Sequence, residues 1–471
     1  GSLDEQVQAS LQALRLKEQT VTQQLKKLLD DVVEDAIEVG NYGNAPGRTA
    51  LGETIKENLG QARGLVIRDL GTKYRSLDDM FRNLTSTEGK SGLKLAQAVT
   101  LDRIVRQTIN KHIDDSLDLI KQHKESDFFW RVSNKEELDN SIVAKVNAAL
   151  DDFKQAVNGK DLEGNPLPVN LEHVRNAYSS LHTIARDTLE ASPERKLIID
   201  IMRKLDDKRV DAMTGQVRDR APDSIFTSLE VNTVDDFNKQ LAATIRENKL
   251  RNPLLDLEEE PFQIEEKLLK EVNNAVEQLR SVNKIAAERM APFDRLQIKK
   301  VISDSRKGAY DADEIYKKVI LNGEEADLNA IFKSLNQYDE SMRLAKRPER
   351  ANTEANLKSQ LKKRLFADAF RASTDAVDES INFTQFAKEI NKFERDYPGK
   401  LNALFTDSAT GKQTGDLVRL TIDQINKIGP RLKPQDIKNL VNDFTANTRG
   451  LSESDQGLAF VQGLKQLAKA S

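Results

Sequence analysis

The residues able to do chemistry are few, and their spacing suits little of it. The 471-residue chain has four histidines, His112, His123, His173 and His182, and no cysteine, so a transition-metal centre would rest on imidazole and carboxylate alone. On a helix His173 and His182, nine positions apart, leave from opposite faces, while His112 and His123 share a face about 16 Å apart. Neither pair reaches one ion, and no His-Glu-x-x-His is present. Two Gly-Lys pairs, Gly89-Lys90-Ser91 and Gly411-Lys412, invite a phosphate loop, but the glycine required five positions upstream is Leu84 in one and Thr406 in the other. There is no Gly-x-Ser-x-Gly nucleophile elbow. Carboxylate pairs such as Asp151-Asp152, Asp311 with Asp313, and Glu258-Glu259-Glu260 are expected by chance among 76 acidic residues. Acid/base work on sugars would further need an apolar wall and an aromatic platform, for which a single tryptophan is thin provision. The sequence therefore predicts no catalytic residue, no metal site and no cofactor: a non-enzymatic chain.

Charge gives one local handle. The 72 Lys+Arg and 76 Asp+Glu are interleaved and net only −4, which offers no global attraction to nucleic acid or anionic lipid. The exception is the stretch 343–364, where Arg343, Lys346, Arg347, Arg350, Lys358, Lys362, Lys363 and Arg364 face only Glu349 and Glu354. Within it Arg347, Arg350, Lys362 and Lys363 are the candidate contacts to DNA phosphate. No aromatic is interleaved before Phe366, and Pro348 breaks the run, so a solvated loop and helix face is the favoured reading and DNA the less favoured partner. The cluster Phe128-Phe129-Trp130 reads as packing beneath an interdomain joint. The partners expected are other protein chains or a second copy.

The elements that must position these residues are helices. Only 12 Pro and 22 Gly punctuate the chain, and helix formers fill the intervals. The fold class expected is all-α, an irregular elongated multi-helix bundle with little or no β-structure. Val7, Leu14, Val21 and Leu28 recur every seven residues, beside Leu11, Leu25 and Val32, with Glu18 interrupting the second series. This is a short heptad-like seam. Its favoured reading is a helix packed inside a bundle; the alternative is an association seam of Leu11, Leu14, Val21, Leu25 and Leu28. Helix starts are marked by Ser133 with Glu136, by Ser192 before Pro193, and by Thr233 with Asp236. Amphipathic runs are expected near 138–157, 169–190, 193–215, 234–248, 262–306, 355–372, 384–395, 416–428, 434–446 and 455–469. The segment Asn158 to Pro166 reads as a polar loop with at most a small two-strand excursion.

Connections are expected at the glycine-rich stretch 40–64, at 125–135 and at 251–261. They divide the chain into an N-terminal helical domain with a heptad-like first helix and a Gly-rich loop (1–130), a middle helical domain (131–260) and a C-terminal one (261–471). No 30- to 45-residue repeat recurs. The apolar runs, such as Leu197-Ile198-Ile199, are far short of the ~20 residues that span a bilayer, so the chain reads as soluble and compatible with the cytoplasm. Gly1-Ser2 before Leu3 reads as a protease-cleavage scar with no signal peptide behind it, and the chain as part of something larger.

One resemblance is carried by the order of segments. The run from Val169 to Met213 holds a helix with Val174, Tyr178, Leu181 and Ile184, then Leu189 to Arg195, then a second helix with Leu197, Ile201 and Leu205. With Val272 to Phe293, Asp311 to Lys318, Leu328 to Leu335 and Leu361 to Phe370, it resembles the helix–loop–helix stretches of internal virion, or DNA-ejection, proteins of large tailed bacteriophages. The resemblance covers about residues 170–445 and has no diagnostic motif; the transglycosylase and RNA polymerase activities of some members find no matching residues. It implies a structural element, stored in the virion beside other virion components and delivered to the host cell with the genome. The competing reading is a cytosolic helical scaffold or bacterial effector that binds a protein partner through a helical face.

Overall fold

The computed structural model describes residues 46–134, 140–189, 191–205, 234–251, 264–303, 308–373, 375, 377, 381–406 and 431–432. Among them 82% are helical, and the all-α class is thereby shown. The helices are α1 (Arg48–Thr85), α2 (Gly92–Asn134), α3 (Asn140–Val157), α4 (Leu171–Arg186), α5 (Pro193–Leu205), α6 (Val234–Arg251), α7 (Glu266–Met290), α8 (Leu296–Ile302), α9 (Ala312–Ile315), α10 (Glu325–Leu344), α11 (Thr353–Ser373), α12 (Phe383–Glu394) and α13 (Lys400–Leu404). A π-helical turn, Tyr316–Leu321, continues α9. The β-structure among the described residues is a two-residue antiparallel ladder of β1 (Ile381–Asn382) with β2 (Arg431–Leu432) and one bridge, Lys160 with Pro166.

The chain forms two compact units, one of residues Val66–Asp294 and one of Gly1–Leu65 with Arg295–Ser471. In the first, α2 packs on α3, α5 and α6, and α4 packs on α3 and α5. Each helix presents a stripe at three- and four-residue spacing. On α2 it is Leu101, Val105, Ile109 and Ile113, all buried. In the second unit, α10 packs on α8, α11 and α13, and α12 on α11 and α13. Most partners are neighbours along the chain, as short connections between antiparallel helices require.

Several expected elements are present: α3, α4, α6, α11 and α12 fall within a few residues of the amphipathic runs. Ser192 caps α5 as its position before Pro193 implies, its Oγ accepting from the Arg195 amide at 3.2 Å. The Asn158–Pro166 segment is a loop, pinned by Asp161 Oδ1, which accepts from the amides of Glu163 and Asn165 at 2.9 and 2.8 Å.

Two expectations need correction. The glycine-rich stretch 40–64 is not a loop over its described part, because α1 starts at Arg48 and carries Gly52, Gly60 and Gly64 inside it. Leu51, Ile55, Leu59, Ala62 and Val66 form a buried stripe through those glycines. Burial at ~1.5–3 kcal/mol per large aliphatic side chain outweighs a glycine's ~1 kcal/mol helix penalty. The joint at 125–135 is also helical as far as Asn134, the end of α2. No proline or glycine lies between Glu125 and Asn134 to stop the helix, so Ser133 sits in its last turn rather than capping the next helix. Of the expected domain boundaries, 130 falls inside α2 and 260 lies outside the described residues. The heptad-like seam with Leu11, Leu14, Val21, Leu25 and Leu28, the side chains of Phe128, Phe129 and Trp130, and the runs at 416–428, 434–446 and 455–469 lie outside them too.

Candidate functional site

The basic stretch is split by the hairpin of α10 and α11 into two environments. The turn between these helices is closed by main-chain bonds: Ala345 N–H donates to Ser341 O at 3.0 Å, Lys346 to Arg343 O at 3.1 Å and Arg347 to Met342 O at 2.8 Å. This is a helix terminus of the Schellman kind, with Lys346 at φ 57° in the left-handed position that glycine usually takes. A 3₁₀ turn, Pro348–Arg350, follows. Its exit is fastened to α10 by the buried carboxylate of Asp339, which accepts from the Thr353 amide at 3.0 Å, the Thr353 hydroxyl at 2.5 Å and the Glu354 amide at 3.1 Å. Asn336 adds a bond to Glu354 at 3.0 Å. The turn is therefore held at its base by charge-assisted bonds, the strong kind.

On this turn Arg343, Leu344, Lys346, Arg347 and Arg350 are all exposed. None of the four cations takes part in an ion pair among the described residues. On α11 three of the four cations of the stretch are engaged within the fold. Lys358 is 4% exposed, donates to Glu354 at 2.8 Å and to Thr406 O at 3.0 Å, and lies 4.8 Å from the Phe332 ring centre. Lys362 is half-buried with its ammonium 4.6 Å from the centre of the Phe405 ring. Arg364 pairs with Asp368 one turn on, and Lys363 is half-buried. Of the four candidate phosphate contacts, Arg347 and Arg350 thus share the exposed turn, while Lys362 and Lys363 lie about 14 Å along α11 from its start. Arg343 and Lys346 are exposed on the turn beside Arg347 and Arg350. The signal was in the spacing: Lys358 recurs with Leu357, Leu361 and Leu365, the buried stripe of α11, whereas the cations flanking Pro348 sit where a helix must end.

Of the other sequence candidates, Gly411-Lys412 lies outside the described residues. Gly89, at φ 70°, lies in the turn that follows α1, and Lys90 Nζ donates to the Asn83 carbonyl in the last turn of that helix, the position where a cation suits the helix dipole. Burial pushes the Lys90 ammonium below its ordinary value, with Glu271 opposing. His173 and His182 both lie on α4 and His112 on α2, while the side chain of His123 lies outside the described residues. Burial lowers the His173 pKa, against the opposing charge of Glu172. Among the described residues no three His, Asp or Glu side chains converge as metal ligands would, and no helix is long and apolar enough to cross a membrane.

Two buried polar clusters carry no sequence signal. In the first unit Asp78, 4% exposed, pairs with Arg175. The Arg175 guanidinium lies 5.3 Å from the Tyr74 ring centre, and Tyr74 donates to Asn283 at 2.7 Å. Burial raises the Asp78 carboxyl above its ordinary value, and the Arg175 charge offsets only part of that. The cluster ties α1 to α4 and α7. In the second unit Lys400, 1% exposed, donates to the carbonyls of Ile320 and Leu321 at 2.6 and 2.8 Å and lies 4.4 Å from the Phe393 ring centre. It closes the C-terminal end of the π-helical turn, whose carbonyls have no helical partner. Gly399 precedes it at φ 97°, where a Cβ would lie 2.6 Å from the Glu325 carboxylate. Both clusters bind helices together, although in the first Asp78 Oδ1, Arg175 Nε and Asn283 Nδ2 find no hydrogen-bond partner among the described residues. What stands out as a surface able to meet a partner is the basic turn, whose three guanidinium forks match phosphate geometry. No protein-family model, no curated protein and no solved structure matches this chain.

Proposed function

We propose that this chain is a non-enzymatic structural and delivery element of a tailed-phage virion, a helical segment of an internal protein that leaves the capsid with the genome. The observation that carries the reading is topological. Helices adjacent in sequence pack on one another, α3 with α4, α4 with α5, α10 with α11, α11 with α12 and α12 with α13, in a chain without cysteine. These sequence-adjacent pairings form rapidly, because little loop-closure entropy opposes them, and no disulfide blocks threading through a narrow conduit. The helix–loop–helix order that carries the resemblance corresponds to α4–α5, α7, α9 with its π-turn, α10 and α11. Mass spectrometry of purified particles tests it. The polypeptide is expected among the virion proteins, and its absence from particles would overturn the reading in favour of a scaffold or effector.

A further inference from the structure

We propose that the turn between α10 and α11 is a contact for an anionic bilayer surface, with Leu344 entering the interface and Arg343, Lys346, Arg347 and Arg350 binding lipid phosphates. The inference stands apart from the virion reading and needs no part of it. Leu344 is 85% exposed, and its chain neighbours at 343, 346, 347 and 350 are all exposed cations. A leucine held in water among cations gains nothing from a DNA backbone, whose phosphates reward charge alone. At the boundary of an anionic bilayer the same residues are complementary, since apolar side chains bury among the acyl chains while cations meet headgroups. Aromatic side chains that would stack on unpaired bases are missing from 341–352.

The backbone supports the assignment. Lys346 is the one non-glycine residue with positive φ among the described residues, so a conformation that favours glycine carries a cation instead. Strained positions of this kind concentrate at functional sites. The Asp339 clamp on Thr353 and Glu354 keeps the turn in place without recruiting its cations, which leaves them available for phosphate. The surrounding acids moderate the attraction. Glu349 lies in the turn and Glu340 one helical turn before Leu344, so residues 340–350 carry four cations and two acids, a net of two positive charges. Binding is therefore weak, dependent on the apolar contact as well as on charge, and sensitive to salt.

Flotation of the full chain with phosphatidylcholine vesicles, with and without phosphatidylserine, tests this beside a random DNA duplex read by fluorescence anisotropy. The expected result is salt-sensitive flotation with the phosphatidylserine vesicles only. Removing one cation should weaken it about fivefold, and Leu344→Asn should weaken it comparably although it alters no charge. Lys346→Gly separates binding from folding: it relieves the left-handed strain, so thermal stability holds or rises while flotation falls. No flotation with anionic vesicles overturns the proposal. So does flotation that Leu344→Asn leaves unchanged, or duplex binding in the absence of vesicle binding.

Discussion

Lys400 is buried, and its ammonium is held by two carbonyls rather than by a carboxylate. Burial pushes it down to about 8, against the raising charges of Asp327 and Asp396. Replacing it with methionine leaves the Ile320 and Leu321 carbonyls unpaired, and Lys400→Met is expected to lose ~1–3 kcal/mol of stability at pH 7. The pH dependence has a definite sign. Below pH 8 both folded and unfolded chains carry the proton, and the cost of burying the charge is fully present. Between about 8 and the ordinary 10.5 the folded state releases the proton first, so unfolding takes up a proton and stability rises with pH. The deficit of Lys400→Met relative to the natural chain should therefore widen from pH 8 to pH 10 in urea denaturation. A deficit that shrank over that interval would assign the lysine a different role.

At the scale of the element, α1 turns on one glycine. A Cβ at Gly52 would lie 1.7 Å from the Ala312 carbonyl oxygen, whereas one at Gly60 or Gly64 would meet nothing within 4 Å. Gly52→Ala must push α1 away from the start of α9, and a loss of ~3 kcal/mol is expected, at the upper end of overpacking. Gly60→Ala and Gly64→Ala should each gain ~0.5–1 kcal/mol, since alanine has the better helix propensity. Thermal melts of the three variants check this, with opposite signs as the expected outcome. The same helix shows where sequence reading stops. Its stripe of Leu51, Ile55, Leu59 and Ala62 has helical spacing, but Gly52, Gly60 and Gly64 along it are locally indistinguishable from a flexible linker. What decides between the two is the partner that the stripe covers.

For the whole molecule, the two compact units differ in continuity. Residues 66–294 are one uninterrupted stretch, while the other unit joins Gly1–Leu65 to Arg295–Ser471. A fragment of residues 66–294 should accordingly fold alone, with helical circular dichroism and a cooperative melt. The piece 295–471 lacks the buried Leu51, Ile55 and Leu59, whose removal forfeits on the order of 5 kcal/mol of burial. It should melt without cooperativity, and a sharp transition in that piece would show that α1 contributes nothing to its core.

The sequence by itself determined the helical class and the helix start at Ser192-Pro193, because each is local. Helical periodicity, the Ser192-Pro193 cap and the lack of cysteine need no partner to be read. Only the tertiary structure decided which charges are available. Lys358 and Arg347 stand eleven positions apart in one basic stretch, yet one is sealed against Phe332, Glu354 and Thr406 and the other is exposed on a turn. The fate of a cation depends on what is packed across from it, and residues as distant as Asp78 and Arg175 or Lys400 and Ile320 meet only once the helices have closed. Desolvation and pairing are long-range in sequence although short-range in space. The sequence therefore supplied the cations, and the packing of α10, α11 and α13 selected those left free to meet a partner.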